Sequence, residues 1–232
     1  MKEKKISLPS ELVYLAAVLL LSFAVAMVAS ANFGVSMVVA PAYIVSLRVD
    51  ALTFGQSEYI VQAILFAALC VILKRVRLPY FFSFATCLIY GAVLDLWRKV
   101  IPVFNPTVTP PGSMAFWARC LLFAGGMLLT AFSVALFYRT YLYPQVYDFF
   151  VKAVCDRYPL NRNKFKIGFD VCCLLVAVSL TLLFFHGFHG IGVGTLIMTA
   201  LNGLLIGLFG KLLDRFFRFP ALFPKVEAWF KI

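Results

Sequence analysis

Two carboxylates lie inside apolar stretches of this sequence, Asp95 and Asp170. A charged side chain in hydrocarbon is costly, so an acid there reads by default as a ligand, ion or proton site. Each also has a local explanation. Asp95 precedes Arg98 and Lys99, and Asp170 follows Lys166, at the three- and four-residue spacings that pair charges along a helix. Tyr90 and Asn202 stand near the middle of two apolar runs, each just before a glycine. A polar group at that depth needs a partner, either a ligand or a neighbouring helix. Asn32, Tyr43 and Gln62 belong to a polar series with Ser36, Ser46, Gln56 and Glu58 that lines a cavity or marks loop and helix ends. Thr195 closes the run Gly190-Ile191-Gly192-Val193-Gly194-Thr195. Its backbone N–H groups would suit an anion at a helix start, or form a tight turn. Asp95, Asp170, Tyr90, Asn202, Asn32, Tyr43, Gln62 and Thr195 are therefore the candidate substrate-binding residues.

Other chemistry is poorly supported. The glycine run lacks the strand and βαβ unit that a dinucleotide loop requires. His186 and His189 are the only histidines, and two ligands do not close a metal site. Cys70, Cys87, Cys120, Cys155, Cys172 and Cys173 have no Cys-x-x-Cys spacing and read as small buried hydrophobes. No nucleophile–base pair stands out. The expectation is a protein that is not an enzyme, with no catalytic residues, no metal and no cofactor.

The elements that hold these residues follow from composition. Of 232 residues, 63% are hydrophobic and 13% charged, and the mean hydropathy is +0.95. Soluble domains are about 45–50% apolar and about 25% charged, so a polytopic helical membrane protein is the reading. Six runs are long enough to cross a bilayer, or nearly so: 12–31, 59–73, 79–97, 119–138, 167–186 and 190–213. The second is short of the ~20 residues a span needs and must borrow from its flanks. The formal charge of +11 would suggest nucleic acid in a soluble chain, but here the basic residues sit between the runs. With both termini on one side, that side receives 17 Lys and Arg, including Lys2, Lys4 and Lys231, and the other receives 4. The positive-inside rule makes the first side cytoplasmic. The basic N-terminus leads into a long run with no clear cleavage site, so it reads as a retained first helix.

The chain also resembles itself. Ser22–Met27 is similar to Ala131–Leu136, Ala40–Ile44 to Tyr143–Tyr147, and Ile89–Trp97 to Leu201–Phe209, in one consistent order. Three spans per half is an odd number, so a duplication would be an inverted repeat, as in many secondary transporters. The boundaries are a tail 1–11, a first repeat 12–101, a proline-rich extracellular linker 102–118, a second repeat 119–218 and a tail 219–232. Each half holds an extra segment after its first span. Phe33–Arg48, broken by Pro41, either re-enters, spans or lies at the interface. Tyr143–Tyr158 has Val146, Phe149, Phe150 and Val154 on one face and reads as interfacial.

Asn32-Phe33-Gly34-Val35, Pro41, Thr53-Phe54-Gly55, Gly91 with Asp95, and Gly190–Thr195 followed by Gly203 resemble the pattern of the bacterial YitT/YczE group of integral membrane proteins. That resemblance implies a multi-pass protein of the bacterial cytoplasmic membrane and says little of activity. The fold expected is all-α, six spans in two inverted repeats. The expected function is transport or export of a small molecule bound between the halves. A substrate-binding subunit of a multicomponent importer and a non-transporting regulator or scaffold remain alternatives. The small-residue face Ser22, Ala26 and Ser30 would serve the importer subunit by docking a partner helix. The expected partners are the lipid bilayer and an unidentified small molecule or ion. A second copy or a partner subunit is compatible with the sequence; nucleic acid is not expected.

Overall fold

A computed structural model describes residues 5–75 and 77–230, the side chain of Asn163 excepted; Lys2, Lys4 and Lys231 lie outside them. The described chain is nearly all helical. Six helices are long and apolar enough to cross a membrane: α1 (Ser10–Ala31), α3 (Phe54–Leu73), α4 (Tyr80–Val100), α5 (Phe116–Phe137), α7 (Arg162–Phe185) and α8 (Val193–Phe216). Two shorter helices interrupt them, α2 (Ala40–Arg48) and α6 (Val146–Arg157), and α9 (Pro224–Phe230) follows α8. Each half therefore reads long, short, long, long.

Local chemistry sets the helix ends. α1 begins after Pro9 and stops where Asn32 turns left-handed. α3 starts five residues before the apolar run because Thr53 and Gln56 cap its first turn reciprocally. That extension draws Glu58 into the helix. α8 starts within the glycine run, at Val193, where the Thr195 hydroxyl accepts from the Gly192 N–H.

α1 and α5 cross antiparallel at the centre. Arg119 at the start of α5 donates to the Ala31 and Asn32 carbonyls at the end of α1, and the Tyr141 N–H following α5 reaches the Ser10 hydroxyl at the start of α1. Their backbones come close at Gly126, where a Cβ would lie 2.9 Å from the Ala24 carbonyl oxygen. Small residues allow such approaches, and dispersion between closely packed surfaces holds helices together in lipid. Ser22 and Ala26 are fully buried within this core, and Ser22 accepts from the Trp97 indole N–H. The small-residue face is thus occupied by the chain's own helices.

Both described ends of the chain meet at one end of the bundle. Ile6–Ser7 (β1) pairs in parallel with Phe217–Arg218 (β2). The Glu11 carboxylate accepts from the Leu222 and Phe223 N–H groups and from the Tyr141 hydroxyl. Arg139 grips Asp214 through two nitrogens. This is called the terminal end below, and the opposite one, with residues 101–115, the linker end. Exposed Leu12, Ile64, Val71, Leu175, Leu183 and Leu204 fit a bilayer environment.

The short helices do not cross. Nine residues make α2 about 13 Å long, less than half of a ~30 Å hydrocarbon core. It packs on α3 and α7, with Ala40 to Ile44 buried. α6 also packs on α3 and α7. Its N-terminus lies beside Gln62, and Tyr158 just past its end donates to the Ile72 carbonyl, ten residues along α3. So α6 returns from deep in the bundle to the terminal end. Seven of its twelve residues are buried, including Val151 and Ala153 outside the expected apolar face. Its first two turns thus pack against α3 and α7 over more than the expected apolar face.

Candidate functional site

A cavity of about 630 Å³ lies between the halves. Its walls come from α1 (Leu21, Val25, Val28), the segment before α2 (Val35 to Val39), α5 (Thr130, Val134), the N-terminus of α6, the first turns of α7 and the middle of α8. Tyr90 of α4 closes one side. This volume falls in the range of small-molecule sites, roughly 300–1,000 Å³.

Three polar side chains in this wall are incompletely satisfied. Thr130 and Gln145 are 7% and 6% exposed, yet the Thr130 Oγ1 and Gln145 Nε2 have no hydrogen-bond partner among the described residues. The Asn202 Oδ1 is also buried and unpartnered. A buried polar atom without a partner costs about 1–3 kcal/mol. Three around one cavity mark a place where a ligand would supply the missing partners.

Charge enters at the terminal-end side. Lys166 Nζ lies 3.1 Å from Asp170 Oδ1 and 3.7 Å from Asp148 Oδ1, and the Tyr138 hydroxyl donates to Asp148 at 2.9 Å. All four residues line the cavity. The i,i+4 pairing of Lys166 with Asp170 is the one its spacing predicts.

α3 and α6 share a buried network that reaches the cavity wall at Gln145 and Tyr147. The Tyr147 hydroxyl and Gln62 Nε2 both donate to Glu58 Oε2 at 2.9 Å. Gln62 Oε1 accepts from the Val146 N–H, capping α6, while Gln62 Nε2 also reaches Gln145 Oε1. Burial, and then the neighbouring Glu58 carboxylate, holds the Tyr147 phenol well above its ordinary range, so it stays a donor. Glu58 is fully buried, and its Oε1 has no partner among the described residues. The network connects Glu58 to Gln145 and hence to the cavity.

Of the eight residues singled out from sequence, Tyr90, Asp170 and Asn202 line this cavity. Gln62 stands one layer behind. Asn32 and Tyr43 line a separate hollow of about 510 Å³ at the linker end, with Pro111 and His189. Thr195 is buried in the first turn of α8, against Gly34. Asp95 lines neither space. It accepts from the Gly55 N–H at 2.8 Å and from the Thr53 hydroxyl, so it caps α3 from α4. The expected ion pair with Arg98 or Lys99 is replaced by this cap; Arg98 instead lies over the Phe54 ring, 5.4 Å from its centroid.

Glu58, Thr130 and Gln145 were not among the eight. The Thr53–Gln56 capping box was the signal for Glu58, since it carries the second span upstream past that acid. Thr130 and Gln145 gain significance only from lacking partners, which no sequence pattern displays.

Residues 8–211 match a protein family described as a family of unknown function (DUF6198). The chain belongs to that family. No curated protein and no solved structure matches it. This DUF6198 protein is thus a multi-pass helical membrane protein whose cavity must be interpreted from its own residues.

Proposed function

We propose that this DUF6198 protein is a transporter of a small molecule, bound in the cavity between its two halves. The observation that carries the reading is the set of unpartnered polar atoms on Thr130, Gln145 and Asn202 around one cavity. Partly spanning helices beside such a space are a recurring device of secondary transporters, and α2 and α6 occupy those positions. The repeated order of elements and the antiparallel α1/α5 pair support an inverted repeat. The lysine and arginine distribution supports cytoplasmic termini. The sequence resemblance to the YitT/YczE group supports a bacterial cytoplasmic membrane.

The mechanism in this reading is a rocking of the halves. α3 packs along α4, whereas α7 and α8 stand apart. Two corresponding helix pairs in opposite states are what one conformation of an inverted repeat would present. Substrate would draw α7 toward α8 while α3 and α4 part.

The test is thermal stability of the purified chain across a panel of amines, metabolites and ions. A ligand bound only by the folded state raises the melting temperature, by an amount set by its concentration over Kd. The reading expects a shift that disappears in Thr130→Val and Asn202→Ala while both remain folded, followed by flux of the same compound in proteoliposomes. Stabilisation without flux would instead favour a binding subunit or regulator. A shift indifferent to both substitutions would remove the cavity from the account.

A further inference from the structure

The same cavity carries information about the shape and charge of its ligand. Its mouth lies between α7 and α8, which do not pack along one another. Ile167 and Leu204, one on each helix, both line the cavity and are 64% and 72% exposed. Gly203 also lines it and has open space where a Cβ would stand. In a bilayer this apolar rim faces acyl chains. The inner wall at Leu21, Val25, Val28 and Val35 is aliphatic and suits an apolar body.

Charge is confined to one side of the cavity and does not balance. The charged side chains of the lining are Asp148 of α6 and Lys166 and Asp170 of α7, two carboxylates for one ammonium. Tyr138 beyond α5 adds a hydroxyl to Asp148, and α1, α4 and α8 bring no charged group to the wall. Behind it stands a further carboxyl, Glu58. The Asp148 and Asp170 side chains are only 22% and 20% exposed, and a partly buried excess of negative charge favours a positive partner. Thr130 Oγ1 and Gln145 Nε2, on side chains more than nine-tenths buried, have no partner among the described residues; the hydroxyl can accept from a ligand, and the amide N–H would need an acceptor on the ligand's body.

We propose that the cavity takes an amphipathic cation, a positively charged group on an apolar body, and that this ligand enters sideways from the bilayer between α7 and α8. The proposal deepens the transport reading and shares its site, but charge and entry route are tested separately from transport.

The full chain in lipid nanodiscs is offered tetraphenylphosphonium and its anionic counterpart of matching shape, tetraphenylborate. Saturable binding of the cation, with the anion at least about tenfold weaker, is expected. Asp170→Asn should weaken cation binding about tenfold, whereas Lys166→Gln should tighten it by removing the competing ammonium. Tightening is an effect that a merely structural role for Lys166 does not produce, and it stands even if Asp170→Asn fails to fold. For the route, Asn202→Cys is followed by site-resolved mass spectrometry in sealed proteoliposomes. A lipid-soluble maleimide should modify it, tetraphenylphosphonium should slow that reaction, and an impermeant charged thiosulfonate on both faces should leave it intact. Equal or tighter binding of the anion, or binding of neither ion, overturns the charge assignment. Modification by the impermeant reagent overturns lateral entry. If another panel compound stabilises the protein and protects Asn202→Cys while tetraphenylphosphonium does neither, the cation is wrong and the transport reading survives.

Discussion

The α3–α4 and α7–α8 pairs occupy matching places in the two halves and are built in opposite ways. α3 and α4 touch backbone to backbone: a Cβ on Gly55 would lie 2.2 Å from the Gly91 carbonyl oxygen, and one on Gly91 would lie 2.4 Å from the Tyr59 ring. Asp95 then clamps the start of α3 through Gly55 and Thr53. On the other side, Gly168 of α7 and Gly203 and Gly207 of α8 all face open space. Glycine serves close helix approach in the first pair; in the second the means of approach is present and unused. The polar pairs differ likewise. Glu58 and Gln62 are sealed beneath α6, whereas Lys166 and Asp170, also four residues apart, open onto the cavity. One helix pair is closed and the other is open.

The strongest break of this contrast is Gly55→Leu. Backbone lies where the new side chain must go, so the cost should reach or exceed the ~1–3 kcal/mol typical of overpacking, seen as a large fall in melting temperature or loss of the monodisperse species. Gly203→Leu should cost less than ~0.5 kcal/mol and melt close to the parent. Because Gly203 lines the cavity, that variant should nevertheless lose ligand-dependent stabilisation. Equal destabilisation by the two substitutions would erase the distinction between the pairs.

Next in size is Glu58→Ala. It leaves Gln62 and Tyr147 short of an acceptor in a buried place and should cost about 2–3 kcal/mol. Glu58→Gln retains an acceptor oxygen and should recover at least half of that loss in the same melting assay. Asp95→Ala should cost about 1–2 kcal/mol, the value of a helix cap, with Asp95→Asn between it and the parent. A smaller effect belongs to the terminal-end latch. Asp214 is largely exposed, and Asp214→Asn should change stability by no more than ~1 kcal/mol, less still at high salt.

The six spans were legible in the sequence because a helix in lipid must be apolar for about 20 residues. The alternation of long and short elements was legible from Pro41 and from the polar residues of 143–158. The site was less so. Asp95 and Asp170 looked alike as acids beside basic residues, yet one caps a neighbouring helix and the other lines the cavity. What separates them is which helix lies opposite, and that depends on tertiary packing. Gly91 and Gly203 stand at matching positions in two similar stretches of sequence, but only the structure shows one in contact and the other free.

The most direct test of the account measures both pairs at once in lipid. Spin labels at Ile167 and Leu204 report the α7–α8 gap, and labels at Ile60 and Leu88 report α3–α4, each in a background with the six cysteines replaced. With the panel compound that most raises the melting temperature, the account predicts that the 167–204 distance shortens while the 60–88 distance lengthens. Two distances that stay fixed, with and without that compound, would contradict a rocking transporter and leave α7–α8 as a static cleft.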